Sequence, residues 1–434
     1  MTDASGPKRI VMATLGSLGD LHPTLALALD LLARGHRVTI ASSRYYRDKV
    51  EGLGIGFASL RPDWDPTDRE IIAQCEDLKS GPEVLFRKLV LPHLREIYDD
   101  LLGAATGADL MIAGELVFAA PLVAEKLGLR WVSVTLSPTS FFSAHDPSLL
   151  VNAPAVYRLR KAGWVVNRAV LEFGKLMSRH WWEPVRQLRR ELGLRVQCDP
   201  VFKDKFSPEL VLALFSSSLA RPQPDWPQQT LQPGFVFFDR EKDGVNGSPE
   251  LAAFWAAGDA PIVFTLGSTA VHNPGNFYEA SAAAARQLGK RSVLLGIKTL
   301  AGMDSADLLA LPYAPYSQTF PHAAAIVHQG GSGTTGQALH AGRPQLIVPY
   351  GWDQPDNGAR VERLGLGLCL ARSAYSTQTA VDALSRLLGD GQFAARAAEM
   401  GERVQSENAL MTACDAIEAV LMASIPAGFQ PGRL

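Results

Sequence analysis

Long apolar runs, clustered cysteines and an excess of one charge are all missing from this 434-residue chain, and each gap removes a class of protein. No stretch approaches the roughly 20 apolar residues of a membrane span. The opening MTDASGPKRIVMATLGSLGD reaches a glycine turn after a few apolar residues, too soon for a secretory signal, so a soluble, cytoplasmic protein is expected. Cys75, Cys198, Cys369 and Cys414 are scattered without CxxC spacing, which argues against a disulfide framework and against a zinc site. No metal is expected. The formal net charge of -2 gives no global attraction to nucleic acid or to an anionic membrane. The turn Gly16-Ser17-Leu18-Gly19 lacks GxGxxG spacing, which disfavours a nicotinamide or flavin enzyme, and no cofactor is expected.

What is present is enough apolar material, 47% of residues, to fill two cores, and the length exceeds what one core usually holds. Strands are expected at Arg9 to Leu15, His36 to Ser42, Ile55 to Leu60, Leu110 to Ala113, Trp131 to Leu136 and Leu210 to Ser216, with helices between them. A second alternating series runs through Pro261 to Ser268, Ser292 to Ile297, Ala324 to His328, Gln345 to Pro349 and Gly367 to Ala371. The expected fold class is α/β: two Rossmann-like domains whose parallel sheets face a central cleft. Boundaries are read as 1–238, a polar linker at 239–250, 251–405, and a terminal helix and tail at 406–434. From about Ser137 to Leu194 strand periodicity stops, and an insertion of helices and loops is expected. Its Phe141, Phe142, Trp181 and Trp182, together with Trp352, are candidates for an apolar acceptor pocket, against the competing reading of plain core. Its many basic residues read as a solvated face, with weak peripheral membrane contact as the alternative.

The stretch AIVHQGGSGTTGQALHAGRPQLIVPYGWDQPDNGAR, residues 325–360, carries the strongest chemical signal. A short apolar strand stops at His328, and Gly330, Gly331 and Gly333 remove side chains where a helix is about to start. Ser332, Thr334 and Thr335 add hydroxyls at that helix end, whose unpaired N–H groups and partial positive charge suit a diphosphate. His328 is a further donor candidate. Downstream, Trp352-Asp353-Gln354-Pro355-Asp356-Asn357 sets carboxylate beside amide, a pair suited to vicinal hydroxyls of a sugar. Diphosphate beside polyol means a nucleoside diphosphate sugar as co-substrate.

A second candidate turn is Gly19-Asp20-Leu21-His22-Pro23. Asp20 and His22 are candidate general bases, and helix capping is the competing reading: with Pro23 at the first helical position, His22 becomes the N-cap.

With both halves placed, the chain resembles the two-domain GT-B glycosyltransferases of family one, and its strings GSLGDLHPTLALALDLLARGH and YAPYSQTFPHAAAIVHQGGSGTTGQAL are closest to a bacterial branch with rhamnosyltransferases. The resemblance implies an inverting, metal-independent transfer, with donor on the C-terminal domain and acceptor on the N-terminal one. It places the diphosphate on His328, Ser332, Gly333 and Thr334, sugar hydroxyls on Asp353 and Gln354, and Gly267 and Ser268 in a loop near the diphosphate; Gly330 and Gly19 are further donor-binding candidates. The string in which plant relatives stack the nucleobase on tryptophan is here Tyr313-Ala314-Pro315-Tyr316, so uridine and thymidine both stay open. Asp20 falls at the base position of the family's GDxxP form, with His22 as second candidate. Glu115 aligns with an aspartate that orients the base in plant relatives, against a plain carboxylate at a strand end. The expected reaction moves glucose or rhamnose from a UDP or dTDP donor to a small apolar hydroxylated acceptor such as a polyphenol, through oxygen or carbon. Lipid acceptors and nucleotide-sugar 2-epimerisation are the alternatives.

Overall fold

The computed structural model describes residues 6–196, 198–238, 249–300 and 305–423. Most of the expected linker, residues 239–248, and the tail at 424–434 lie outside them. The first sheet holds β1 (Arg9–Ala13), β2 (Arg37–Ser42), β3 (Gly56–Ser59), β4 (Leu110–Gly114), β5 (Trp131–Thr135), β6 (Leu210–Ala213) and β7 (Thr230–Leu231), all parallel, in the order β3-β2-β1-β4-β5-β6-β7. The second holds β8 (Ile262–Thr265), β9 (Ser292–Leu295), β10 (Leu308–Leu311), β11 (Ala325–His328), β12 (Gln345–Ile347) and β13 (Gly367–Cys369), again all parallel, in the order β10-β9-β8-β11-β12-β13.

Alternation along β1 shows how each sheet is covered. Val11 and Ala13 enter one apolar cluster, Ile10 and Met12 another, so both faces are buried under helices. The order of each sheet reverses direction at one place, between β1 and β4 in the first and between β8 and β11 in the second. Loops leaving those strands diverge and open a crevice at the strands' carboxyl ends. Those four loops carry Asp20, Glu115, Gly267 and the glycine turn after His328.

The insertion contains no strand, as its lost periodicity implies; it folds into the helices Trp164–Ser178 and Glu183–Glu191 and shorter 3₁₀ turns. The last helix, Ala409–Met422, leaves the second half and packs on the first. Its Ala413, Cys414 and Ile417 are buried with Leu21 and Leu25 of the first helix, Leu18–Ala33, and Arg34 pairs with Asp415 and Glu418 at 2.6 and 2.7 Å.

The halves also meet directly. One apolar cluster joins Phe141, Val211, Phe215 and Trp226 of the first to Leu339, Ile347 and Val361 of the second. Beside it Asp356 and Arg360 are almost fully buried; Arg360 pairs with Asp356 at 2.8 Å and with Asp146 of the first half. Asp356 also accepts from Thr139 Oγ1 at 3.2 Å and from the Leu149 amide at 2.8 Å.

Candidate active site in the cleft

The first helix begins earlier than Pro23 implies. Ser17 is the N-cap, its Oγ accepting from the Gly19 amide at 3.1 Å, and the Asp20 carboxylate accepts from the Ser17 amide at 2.8 Å, a reciprocal capping box. His22 is therefore not the cap, and Pro23 lies inside the helix. Asp20 is thus a capping carboxylate, and both Ser17 contacts fall on its Oδ2, which leaves Oδ1 outside the cap. Gly16 makes this possible: its φ is +127°, and a Cβ there would lie 2.3 Å from the Asp20 carboxylate.

Asp20 is raised to about 7, first by desolvation within the crevice and then by the negative charges of Glu115 and Asp353, while the Ser17 hydrogen bonds pull the other way. Glu115 comes from the loop after β4 and Asp353 from the opposite half, so carboxylates of both halves converge on one space. Glu115 is held by the Leu136 amide at 3.1 Å, by the Ser140 hydroxyl and by the buried Lys205 ammonium at 3.5 Å.

His22 points elsewhere. Two positions along a helix are about 200° apart, so Asp20 and His22 cannot both aim at one atom. The His22 ring lies 5.4 Å from Phe238, its Nε2 is buried without a partner, and burial lowers its pKa to about 4.

Across the crevice the helix Ser332–His340 starts at the glycine turn, with Gly331 as N-cap; its first helical hydrogen bond runs from the Thr335 amide to Gly331 O at 2.8 Å. The amides of Ser332, Gly333 and Thr334 precede that bond and are the candidate anion cradle. The helix-opening run Gly331-Ser332-Gly333-Thr334-Thr335-Gly336 does have GxGxxG spacing, a signal the turn near the N-terminus lacks. Its last glycine seats the helix, since a Cβ at Gly336 would come within 2.7 Å of the Phe235 ring.

His328 lies behind the glycine turn. It is fully buried at the end of β11, where Nε2 faces Gln345 Oε1 at 2.9 Å and Nδ1 accepts the Gly330 amide at 3.0 Å. Both nitrogens are thus occupied in the neutral tautomer, and burial lowers the pKa to about 4. In this structure both ring nitrogens of His328 serve the turn and the neighbouring strand. Gly330, at φ +93°, would set a Cβ 2.7 Å from Ile347 and 3.1 Å from the Gln354 carbonyl. The turn after β8 completes the cradle: Gly267 has φ +67°, with Gln329 Nε2 where its Cβ would be, and half-buried Ser268 follows it. Gln329, passed over in the sequence, packs its amide on Gly267 and donates to Thr334 Oγ1 at 3.3 Å within its own turn.

The polyol clamp is partly committed to its own loop. Asp353 accepts from Ser332 Oγ at 2.7 Å and from Asn357 Nδ2 at 2.9 Å, and burial raises its pKa. Gln354 Oε1 takes the Tyr350 and Gly351 amides at 2.7 and 3.1 Å, which leaves its amide nitrogen for a sugar. Asn357 is fully buried and donates to Gly330 O at 2.9 Å, so it ties clamp to cradle and does not grip a polyol. Tyr313 stands 46% exposed after β10, whereas Ala314 is buried beneath it.

The aromatic candidates divide. Phe141 stacks on Trp226 at 4.0 Å in the shared cluster, and Trp182 is wedged against Phe86 and Phe118 at 5.5 Å each; both are core, not pocket wall. Trp181 is half-buried against the same cluster. Phe142 lies 4.7 Å from Phe202 with the Lys205 ammonium 5.3 Å from its ring, one contact behind Glu115. Trp352 crosses from the second half to pack on the first half's core, and does so at φ +61°, a left-handed conformation that costs a non-glycine residue about 1–3 kcal/mol. Among the described residues, no three or more His, Cys, Asp or Glu side chains are grouped to hold a metal ion.

Residues 10–141 match the glycosyltransferase family 28 N-terminal domain, and residues 307–419 match the erythromycin biosynthesis protein CIII-like C-terminal domain. Over almost its whole length the chain is 32% identical to O-mycaminosyltylonolide 6-deoxyallosyltransferase of Streptomyces fradiae, covering 94% of this chain and 97% of that protein. The chain belongs to the family-one GT-B glycosyltransferases. This nucleotide-sugar glycosyltransferase is also 30% identical, over 95% of its length, to a sterol 3-beta-glucosyltransferase of Emericella nidulans, although it spans only 30% of that longer protein. The GT-B fold itself recurs in the calicheamicin glycosyltransferase, with a TM-score of 0.72 at 20% identity covering 97% of this chain and 100% of that one. A spinosyn rhamnosyltransferase complexed with thymidine diphosphate gives 0.65 at 20% identity, covering 95% and 100%.

Proposed function

We propose that this glycosyltransferase inverts the donor's anomeric centre without a metal and uses Asp20 as general base toward an apolar, hydroxylated natural product. Supporting this most directly is the convergence of Asp20, Glu115 and Asp353 from both halves, with Asp20 raised to about 7. A carboxylate near neutrality accepts a proton far better than an ordinary one, and such a base contributes about 10²–10⁴-fold. In the proposed step the acceptor oxygen attacks the anomeric carbon and the carbon–oxygen bond to the diphosphate breaks. The bonding pair leaves on the diphosphate, and the hydroxyl proton passes to Asp20. The amides of Ser332, Gly333 and Thr334 stabilise the leaving diphosphate, while Asp353 and the Gln354 amide nitrogen orient the sugar. Glu115, held by Ser140 and Lys205, lies beside Asp20 and adds to the effects that raise its basicity.

Relatives supply the acceptor class: a macrolide-type transferase and sterol transferases both carry names that denote hydroxylated ring compounds. Polyphenols belong to the same chemical class. The thymidine diphosphate held by a fold relative makes dTDP-sugars a donor choice as natural as UDP-glucose. Wild type and Asp20→Asn should be incubated with UDP-glucose or dTDP-rhamnose and a panel of macrolactone, sterol and phenol acceptors, with and without chelator. Chelator-resistant product of inverted configuration, lost in Asp20→Asn, is expected. Retained configuration or full activity in Asp20→Asn would refute the mechanism, and epimerised donor formed without any acceptor would replace the transferase reading with a 2-epimerase.

A further inference from the structure

The helix Trp164–Ser178 is turned inside out. Its buried residue is the polar Asn167, which donates to Ala144 O at 3.0 Å, while Phe173, Leu176 and Met177 are 63%, 64% and 59% exposed. At 100° per residue, Val165, Val166, Phe173, Leu176 and Met177 fall within about 120° of one another, a continuous apolar stripe facing water. Isolated exposed apolar residues are ordinary; a stripe along one helix marks a contact surface.

The surrounding charge says which contact. Residues 156–190 hold nine Arg and Lys against two Glu, in a chain whose net charge is -2. Glu172 is taken by Arg168 and Lys175, and Glu183 by Arg186 and Arg190. Arg158, Lys161 and Arg179 have no carboxylate within 4.0 Å among the described residues. A convex apolar stripe rimmed by free cations complements an anionic lipid surface, into which such helices sink along one face.

We propose that this helix docks the enzyme on an anionic bilayer and presents the acceptor side of the cleft to molecules dissolved in it. The path inward is short. Lys175 lies 5.2 Å over the Phe202 ring, Phe202 meets Phe142, and Phe142 lies beside Lys205, the ion partner of Glu115. These contacts set the docking helix three side chains from Glu115, on the side of the first half that carries the candidate acceptor residue Phe142.

Docking is tested by sedimentation of the full chain with phosphatidylcholine vesicles, with and without phosphatidylglycerol, across salt. The comparison variant is Val165→Ser/Phe173→Ser/Leu176→Ser, whose positions are exposed and should leave the melting temperature unchanged. Binding is expected with phosphatidylglycerol, weaker at high salt, and reduced about 100-fold or more in the triple variant, as loss of three buried apolar side chains implies. No wild-type sedimentation, or equal binding by the triple variant, overturns the proposal. So does a wild type that forms dimers through this face, detected by sedimentation velocity, without binding vesicles. Transfer to a soluble acceptor is unaffected in every case, so failure here is distinguishable from failure of the proposed chemistry.

Discussion

Asp20 carries the clearest pH signature. Because its folded pKa lies near 7, well above the ordinary carboxylate value, turnover should rise with pH along a limb centred near 7, measured as kcat/KM from pH 5 to 9. Stability takes the opposite sign: the folded protein holds this proton more tightly than the unfolded chain, so the contribution is full below about pH 4 and is lost as pH rises through 7. Asp20→Asn should therefore lower kcat about 10²–10⁴-fold while raising the melting temperature at pH 8. His22 titrates in the other sense, depressed to about 4, so its contribution is present above pH 6.5 and is lost as pH falls toward 4. His22→Phe, beside Phe238, should keep activity and soften the fall in melting temperature between pH 6.5 and 4; loss of activity would restore histidine as base. The capping role of Asp20 was legible as Ser17-x-x-Asp20, but Pro23 drew attention to the wrong helix start. No local signal reveals that His328 is closed off, because its partner Gln345 lies 17 residues away on the neighbouring strand.

At the scale of elements, the glycine turns set the geometry. Gly16→Ala should displace Asp20 and lower kcat with little change in donor KM, whereas Gly330→Ala, blocked by Ile347 and the Gln354 backbone, should weaken nucleoside diphosphate binding, read by calorimetry. The opposite split would mean the two turns serve exchanged roles. Strands with apolar runs ending in glycine or a polar loop were legible in the sequence. The two that were not explain themselves: β7 is two residues long, and β10 is Leu-Leu-Ala-Leu, a run whose residue types favour helix as readily as strand. The glycine turn and Asp353 were readable because their chemistry is local. The fate of Phe141 and Trp182 was not, since spacing shows that an aromatic is buried but not what it faces.

Over the whole molecule, the paired alternation of strands and helices announced two sheets, but nothing in it announced how they are joined. The Asp146–Arg360–Asp356 cluster is such a joint, built from residues more than 200 positions apart. Arg360→Leu leaves Asp356 buried without its cation and should cost about 3–5 kcal/mol in denaturant unfolding; a loss below about 1 kcal/mol would show the pair to be in effect a surface one. The return of the last helix to the first sheet has a mechanical consequence. The chain crosses between the halves twice, between residues 238 and 249 and again between 405 and 409. Two tethers leave a pair of bodies less freedom than one, because the line joining the anchor points becomes an axle. Two such anchors restrict any opening of the cleft to a swing about that axle, the one movement that would separate Asp20 from Asp353 on the opposite leaf.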